Sequence, residues 1–528
     1  MSDRLPWEIV ETLPSTDAAL VDHWEQCLDE ARSTPQLVRA LVGRALSLYW
    51  AVSEGVSQLS WTEVHQLRQD NISEAIRLAR TSDDPDLIAT ALLGELYALW
   101  TADGPLNRGP VVEELSALFD QVNDEELRFR IREWKVLAHL DSADLAGAKL
   151  EMKIFSEEAF RTDLTLFRRR AELWNATVAM LEGRVDEAIE VNQRAISSTA
   201  DVAGSPFSFQ NVAINLAIEQ FFHRTLGDAI DSIRAIRASS PRVANAWDTG
   251  LAFALSECDQ LDEATELYDA LAINNFERVD RDLNWLVTIQ LLGLVAVRLE
   301  DPVRCRSVLE LMQPLGEFDT THGSGYASYG PVARVLGSLA AVAGEHEAAE
   351  TWFEFVLQNR PAGPWRSLTL LNRAQARASL KPEQAIEDAD AAATELESFG
   401  LSAWATVARD LRQHLQLQGH GGPAARLEAN LWTMSHPSGK AVVRHTKGMG
   451  YLTQLLARPG KPIDVMQLDT EISAALPTTA TATSSIDAEA RASYRQRAAS
   501  LQAASELSPQ ESAELEHLLK ELAGSVYV

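Results

Sequence analysis

The chain has 528 residues, with 47 basic and 76 acidic side chains that give a formal net charge of −29 at pH 7. Apolar residues make up 46% and charged residues 23%, a composition that excludes a wholly disordered or membrane-embedded chain. No run approaches the ~18–20 uninterrupted apolar residues of a spanning helix, and the first residues lack a signal-peptide pattern. The 3 cysteines lie far apart without a CxxC pair, which favours a reducing compartment. We therefore expect a cytoplasmic protein that does not bind membranes.

The acidic charge is concentrated in the first four fifths of the chain. Residues 420–528 contain 10 basic and 11 acidic side chains, which leaves 37 basic and 65 acidic side chains in residues 1–419. The two parts therefore carry net charges of −1 and −28. Because an acidic surface repels the phosphates of nucleic acids, this difference predicts two parts with different surfaces.

Apolar residues recur at helical spacing from Thr16 to about Gln418. The segment 88–99, with apolar side chains three and four residues apart, is typical. Short breaks such as Ser82–Pro85 and Ala102–Pro105 separate successive runs, and an acidic or small residue before proline marks a helix start. The pattern predicts roughly twenty helices joined by tight turns, as in paired antiparallel helices.

Four of these turns resemble one another. They lie at residues 179–188, 222–229, 255–264 and 341–349. Each opens its second helix with an alanine, and these alanines are 41, 35 and 85 residues apart. A turn that ends at Cys305 divides the longest gap, so that the period is 35–44 residues. That period is typical of two-helix solenoid repeats.

This part resembles the tetratricopeptide-repeat superfamily, in the longer and less regular form of maltose-activator-type bacterial regulators. The resemblance covers about residues 35–418 and is carried best by Ala171–Ser197, with Trp174 and Ala188 in repeat-like positions. It implies a mainly α fold, in which an N-terminal helical cap at 1–34 precedes an α-solenoid at 35–418. A generic helical bundle is the alternative.

A basic run, Phe167–Arg170, lies just before that best-matching unit. Arg168 and Arg169 are about 100° apart on a helix, so they cannot both face inward. One of them is a candidate to line the groove of the repeats and bind an acidic or carboxylate-terminated peptide. A charge-balancing surface cluster is the alternative interpretation.

The sequence contains no catalytic motif. It has no phosphate-binding loop, no zinc-protease or nucleophile-elbow motif and no metal-type pairing of cysteine with histidine. We interpret Gly323–Gly330 as a loop that starts a helix, and Trp100 and Trp134 as core residues. Paired carboxylates are interpreted as a solvated face: Glu113, Glu114, Asp280 and Asp282. The sequence therefore predicts a protein without enzymatic activity, cofactor or metal.

The pattern changes at His420–Pro423, a helix-breaking cluster. Asn430–Met434 and Ala441–His445 are β-prone runs on either side of a turn composition, which predicts a β-hairpin. A short helix is predicted from Thr446. The predicted parts are a hairpin and helix module at 419–474, a flexible linker rich in threonine, alanine and serine at 475–485, and C-terminal helices at 486–528.

This last part is similar to a C-terminal module of actinobacterial regulatory proteins. The shared pattern runs from Trp432 through Lys447–Leu468, and Ile486–Arg497 matches a later helix that carries arginines. The order of hairpin, helix, Pro-Gly turn and helix also resembles a winged helix. The resemblance therefore implies a small winged-helix-like α/β module with a role in signalling or transcription regulation. Its relatives often carry ATPase or cyclase domains, of which this sequence shows no motif.

Two roles are open for this module. As a dock for a protein, or for a second copy in a homodimer, it would use Trp432, Tyr451 and Leu455 as apolar contacts. As a DNA-binding module it would use a largely basic set: Lys440, Arg444, Lys447, Arg491, Tyr494 and Arg495. Residues 420–470 carry a net charge of +3, whereas the acidic first part opposes DNA binding.

We therefore predict a non-enzymatic cytoplasmic regulatory scaffold that binds a protein or peptide partner in the groove of its helical repeats. A transcriptional regulator that binds DNA through the C-terminal module is the less favoured alternative. The two differ in salt response, because phosphate contacts weaken steeply with salt whereas apolar contacts do not.

Overall fold

A computed structural model describes residues 5–7, 18–53, 59–162, 165–197, 217–239, 244–323 and 325–419. It also describes three strands at 424–428, 431–436 and 439–444, and the positions 446, 449, 451, 452, 455, 493, 496, 497 and 500. The chain is mainly α and divides into two compact units, Met1–Leu415 and Gln416–Val528. We refer to them as the helical unit and the C-terminal unit.

The first half of the helical unit is a succession of helices with short connections. They are α1 Ala18–Glu30, α2 Thr34–Ser53, α3 Trp61–Ser82, α4 Pro85–Ala98, α5 Gly104–Leu118, α6 Glu125–Asp141, α7 Leu145–Ala159, α8 Thr165–Leu181 and α9 Val185–Ser197. Each of these helices packs against the next one. A 3-10 turn, Phe119–Gln121, follows α5.

The second half continues in the same way but contains a β-hairpin. Residues 217–223 are helical, and a 3-10 turn follows at Leu226–Ala229. The next elements are α10 Ile230–Ser239, α11 Ala244–Glu257, α12 Leu261–Phe276, α13 Trp285–Arg298, α14 Pro302–Met312, a 3-10 turn Gln313–Leu315, β1 Asp319–His322 and β2 Ala327–Pro331. The last helices are α15 Val332–Val342, α16 His346–Asn359, α17 Pro364–Arg377, α18 Pro382–Ser398 and α19 Ser402–Gly419.

Side-chain caps explain where several helices begin. The Asp84 carboxylate accepts hydrogen bonds from the backbone N–H groups of Asp86 and Leu87, with Pro85 in the first turn of α4. Asp301 caps α14 in the same way before Pro302. The start at Pro85 was predicted from the acidic residue before proline. Such a residue satisfies free N–H groups where proline costs no hydrogen bond.

Six helix–helix turns within the described residues close with the same hydrogen bond. Each contains a residue with positive φ, and the next N–H donates to the carbonyl five residues earlier, as from Arg184 to Ala179 at 2.8 Å. This is the Schellman geometry that ends a helix and satisfies its last carbonyls. The positive-φ residues are Ala143, Gly183, Arg224, Asp259, Gly344 and Gly400.

The small residues singled out in the sequence lie just beyond helix–helix turns, four of them beyond turns of this type and Cys305 beyond the turn at Glu300. Ala188, Ala264, Cys305 and Ala349 are buried in the first turn of a helix, as predicted. Ala229 departs from the prediction, because it is half-buried and ends a 3-10 turn. The larger side chains that follow are also buried: Ile233, Tyr268 and Phe353. A buried small residue lets the two helix backbones approach, and the larger residue fills the space one turn later.

Aromatic side chains make up much of the core of the first half. The rings of Tyr97 and Trp100 lie 4.8 Å apart, and those of Tyr97 and Trp134 lie 5.4 Å apart, both edge to face. Trp100 and Trp134 are therefore core residues, as predicted, and edge-to-face contacts of this kind add to the burial of the rings.

The C-terminal unit contains a three-stranded antiparallel sheet in the order β3 Ala424–Glu428, β4 Leu431–His436 and β5 Gly439–Arg444. The predicted hairpin is present as β4 and β5, with Trp432 opposite Val443. Strand β3 was not predicted. The described positions between 449 and 455 are helical, where the sequence predicts a short helix.

Candidate functional site

The glycine-rich segment 323–330 belongs to a β-hairpin, so its interpretation as a simple helix-start loop was wrong. Strand β1 pairs antiparallel with β2, and β2 runs directly into α15. The register shifts between Thr320 and Thr321, which marks a bulge. Gly325 and Gly330 have φ values of +77° and +76°, which glycine adopts without the strain of a Cβ. The glycines therefore serve the turn and the bulge.

One side of the hairpin binds helices of the first half. The Thr321 hydroxyl donates to Asp141 at 2.6 Å, and the other oxygen of Asp141 accepts from Arg108 at 3.3 Å. The Thr177 hydroxyl donates to the carbonyl of Gly325 at 3.0 Å. These contacts join α5, α6 and α8 to a strand pair more than 140 residues later in the chain.

The other side of the hairpin binds helices of the second half. Arg360, just after α16, donates to Asp319 at 2.8 Å and to the carbonyl of Glu317 at 2.7 Å. The Gln290 side chain of α13 donates to the carbonyl of Tyr329 at 2.9 Å and accepts from the hydroxyl of Thr320. The hairpin is thus held by polar groups from both halves, and buried polar groups hold their position only when such partners are present.

A small pocket of about 40 Å³ lies beside this ion pair. Its lining includes Leu140, Leu181, Asp319, Thr321, Arg360 and Trp365. A volume of that size holds on the order of two or three water-sized groups. The two lining guanidiniums are paired, Arg360 with Asp319 and Arg366 with Glu395 at 2.7 Å. The two guanidiniums that line the pocket are therefore already neutralised by carboxylates of the chain.

Burial sets the charge states of the hairpin residues. Burial raises the pKa of Asp319 to about 6, against the opposing effect of Arg360. Burial also lowers the pKa of His322 to about 4, so this imidazole is neutral at pH 7. At neutral pH the hairpin therefore carries an ionised Asp319 that depends on Arg360.

Asp280 and Asp282 do not lie on a solvated face, so that interpretation was wrong. They belong to the segment 277–284 between α12 and α13, where Leu283 packs against the aromatic core of the first half. Burial raises the pKa of Asp280, and the side chain of Trp61 opposes this effect. Asp282 is half-buried, and desolvation raises its pKa to about 7, with the nearby Asp280 as a smaller cause. Glu114, in contrast, forms an exposed pair with Arg80.

We predict that Asp282→Asn stabilises the protein at pH 8. The folded-state pKa of about 7 lies above the ordinary 3.8, so the folded protein binds the extra proton and loses stability as the pH rises from about 4 to 7. Asparagine stays neutral and can still accept the N–H of Asn284, which Asp282 accepts at 2.8 Å. After discounting for partial exposure, we expect a gain of about 1–3 kcal/mol.

Thermal unfolding of the wild type and of Asp282→Asn at pH 5 and pH 8 measures this effect. The variant should gain stability relative to the wild type mainly at pH 8, whereas Asp231→Asn, at a fully exposed helix start, should show no such pH-dependent gain. A variant that is less stable than the wild type at pH 8 would contradict the assignment.

Arg168, the proposed groove residue, binds the backbone of its own neighbourhood. Its Nε donates to the carbonyl of Ala159 at 2.9 Å, and its Nη2 donates to the carbonyl of Thr162. It therefore satisfies carbonyls at the C-terminal end of α7, where a cation also interacts favourably with the helix dipole. Arg169 is on α8, and its side chain lies outside the described residues. Arg170 is buried and paired with Glu133.

The apolar contacts predicted for the C-terminal unit lie in two elements. Trp432 is half-buried on β4, and Tyr451 is half-buried and helical. Leu455, also helical, is exposed. The structure thus places Trp432 in the sheet and the other two in the helical positions that follow.

The residues predicted for DNA binding are only partly within the described chain. Lys440 and Arg444 are on β5, at positions whose backbone pairs with Ser435 and Leu431 of β4. The others lie outside the described residues: Lys447, Arg491, Tyr494 and Arg495.

The described residues contain neither a membrane-spanning helix nor a group of metal-ligating side chains. None of the helices in the described ranges is long and apolar enough to cross a membrane. Across the same part of the chain, no three histidine, cysteine, aspartate or glutamate side chains are grouped so that they could hold a metal ion. In comparisons with known proteins, no family model matches the chain and no curated protein matches it in sequence.

Proposed function

We propose that the chain is a non-enzymatic regulatory scaffold that binds a protein partner. The observation that carries the proposal is a set of exposed apolar side chains in the C-terminal unit: Val442, Val443, Leu452 and Leu455, which are 63%, 39%, 42% and 47% exposed. They fall within 14 residues of sequence. Exposed apolar groups that occur close together mark surfaces that bury themselves against a protein.

The sheet supports a protein dock of this kind. Val443 is opposite Trp432 on the neighbouring strand, and cross-strand partners share one face of a sheet. Val442, the next residue, lies on the opposite face of the sheet, because successive side chains of a strand alternate between the faces. It is also exposed. Apolar and aromatic side chains at the centre of an interface supply most of its binding energy.

The helical unit supports the scaffold proposal by its construction. Helix after helix ends in the same type of turn, as in proteins whose repeats present an extended binding surface. The resemblance to tetratricopeptide-repeat regulators points the same way and extends the proposal to a peptide partner. The engagement of Arg168 with backbone carbonyls removes it as the favoured anchor for such a peptide.

Substitution of Val442, the most exposed of the four apolar side chains, tests the dock. We expect Val442→Asp and Leu455→Asp to reduce cross-linked partner recovered from a cell extract by at least ~10-fold, because a charge placed in an apolar interface is left desolvated and unpaired. Val303→Asp is the matched control, since Val303 is 73% exposed but lies on α14 of the helical unit.

The control should leave recovery unchanged. Sedimentation velocity of the same variants identifies a second copy of the chain as the partner if self-association is what the aspartates abolish. Equal recovery with all three variants, or no partner with the wild type, would contradict the proposal.

A DNA-binding role is the second candidate, favoured by Lys440 and Arg444 on strand β5 of the hairpin. Binding through several phosphates should weaken by orders of magnitude between about 50 and 200 mM salt, whereas apolar docking should change little. Fluorescence anisotropy of the full chain with labelled duplex over that range separates the two. No binding at the lowest salt removes the DNA-binding role.

A further inference from the structure

Arg334 is a buried cation whose hydrogen bonds are incomplete. It lies on α15 and is 3% exposed. Its Nη1 donates to the side-chain oxygen of Asn372 at 3.1 Å. Its Nε and Nη2 are also buried, and neither has an acceptor among the described residues. Such groups are rare in folded proteins, because a buried donor without a partner has lost its water and gained nothing in return.

The two unpaired nitrogens form one edge of the guanidinium. The N–H bonds of Nε and Nη2 point in the same direction, which fits the two oxygens of a carboxylate or phosphate. Two arginines of α17 show what this edge binds elsewhere in the chain. Arg373 donates through Nε and Nη2 to the two oxygens of Asp388 at 2.9 and 2.6 Å. Arg377 binds both oxygens of Glu350 in the same way, at 2.8 and 2.5 Å.

The ring of Trp365 packs against this guanidinium and carries a further unpaired donor. The Arg334 guanidinium lies 5.2 Å from the centre of the Trp365 ring. Trp365 is buried, and no acceptor within the described residues binds its Nε1. Gly330 packs against the same ring, since a Cβ at that position would lie 2.5 Å from Trp365 Cδ2. Three unpaired N–H groups therefore lie in one tightly packed neighbourhood.

The electrostatic surroundings of Arg334 contain one carboxylate, Glu257, that its Nε and Nη2 edge does not bind. Glu257 at the end of α11 interacts electrostatically with three arginines: Arg298, Arg224 and Arg334. Arg298 is also paired with Asp259 at 2.5 Å. Burial lowers the pKa of Arg334 to about 10, so its guanidinium remains charged at pH 7. Arg224 is exposed, and Arg298 is 42% exposed and already paired. The buried charges here are therefore Arg334 and the partly desolvated Glu257, which interact although the Nε and Nη2 of Arg334 donate to no acceptor in the described part of the chain.

We propose that Arg334 binds a small oxyanion, a carboxylate or a phosphate, through its Nε and Nη2 edge, with the ring of Trp365 packed against the guanidinium. The site goes beyond the docking role of the C-terminal unit and makes the helical unit a receptor for an anionic effector. The edge then binds an oxyanion, as the same edges of Arg373 and Arg377 do. At Arg334 the oxyanion comes from outside the chain.

Thermal unfolding of the full chain at constant ionic strength tests the proposal. Succinate and inorganic phosphate are titrated in parallel, with chloride as the reference ion. We expect one of the two probes to raise the Tm by ~2–5 °C at saturation, because a ligand that binds only the folded state stabilises it. The probe that acts identifies the oxyanion as carboxylate or phosphate.

Variants assign the effect to the proposed edge. Arg334→Met should abolish the shift, and Arg334→Lys should weaken it, since lysine lacks the planar fork. Glu257→Gln should strengthen binding, because it removes the carboxylate that competes for the same cation. Arg373→Lys is the matched control: its Tm without ligand should fall, because its edge is already paired with Asp388, but the ligand-induced shift should remain.

Three results would overturn the proposal. The first is the absence of any shift beyond that of chloride. The second is an equal shift in Arg334→Met, which would reduce the anion effect to screening of net charge. The third concerns the protein without ligand, where removal of an unpaired buried cation should leave the Tm of Arg334→Met unchanged or higher. A fall as large as that of Arg373→Lys would make Arg334 a structural residue.

Discussion

Replacing Asp319 with leucine should release the β1–β2 hairpin, because it leaves the guanidinium of Arg360 buried without its carboxylate. The two side chains are only 10% and 7% exposed. Breaking a buried pair from one side costs about 3–5 kcal/mol, since arginine cannot neutralise itself by losing a proton. That loss corresponds to roughly 10²–10³-fold less protection of the hairpin amides from hydrogen exchange.

Hydrogen exchange of residues 319–331 followed by mass spectrometry measures the release. Asp319→Leu combined with Arg360→Met should regain part of the protection, because two apolar residues replace the pair without leaving a charge behind. Arg77→Met is the control for a lost cation, and removing this exposed partner of Glu74 should leave the hairpin unchanged. Full protection in the single variant would show that the ion pair does not hold the hairpin.

Gly183→Ala should destabilise the helical unit by about 2–4 kcal/mol, from backbone strain and steric overlap together. Gly183 has φ +81°, and a Cβ there would lie 2.2 Å from Cδ1 of Phe399. The matched control is Gly344→Ala, because Gly344 has φ +84° but a Cβ there would meet nothing within 4 Å. The control should cost only the backbone strain, about 1–2 kcal/mol.

Urea unfolding followed by far-UV circular dichroism compares the two variants. Addition of Phe399→Leu should restore more stability to Gly183→Ala than to Gly344→Ala, since only the alanine at position 183 meets that ring. Equal destabilisation by both alanines would contradict the contact between the turn at Gly183 and the segment that follows α18.

The sequence predicts the helical part of this fold well for physical reasons that particular residues illustrate. Helix starts at Pro85 and Pro302 depend on a capping aspartate one residue earlier, so the signal is local. Ala264 and Ala349 were found by comparing turns, because close helix approach leaves a small residue at a fixed place. Strands β4 and β5 were indicated by β-prone runs around a turn.

The hairpin inside the helical unit was missed because its stabilising partners are distant in sequence. A strand of four residues such as Asp319–His322 is too short to show alternation. Its partners, Asp141 and Arg360, come from helices whose spacing gives no sign of that pairing. The same reason explains Asp282, whose raised pKa follows from packing of the segment 277–284 against the first half.

Arg334 shows a second reason why the sequence does not predict every candidate site. In the sequence it is one basic residue in an apolar helix, and the ordinary expectation is that its charged end reaches solvent. Only the structure shows that the end is buried and that one edge of the guanidinium is unpaired. The proposed receptor role could therefore not have been predicted from composition or motifs.

The hairpin contacts also determine when the helical unit can finish folding during synthesis. A chain of repeats with only neighbouring contacts can fold as each repeat leaves the ribosome. Here the hydrogen-bond partner of Thr177, Gly325, is synthesised 148 residues later. The partner of Asp141, Thr321, is synthesised 180 residues later. At ~5–20 residues per second the first of these delays is roughly 7–30 s. Throughout that interval the first half exposes the surface that the hairpin later covers, and transiently exposed surface of this kind is what chaperones protect.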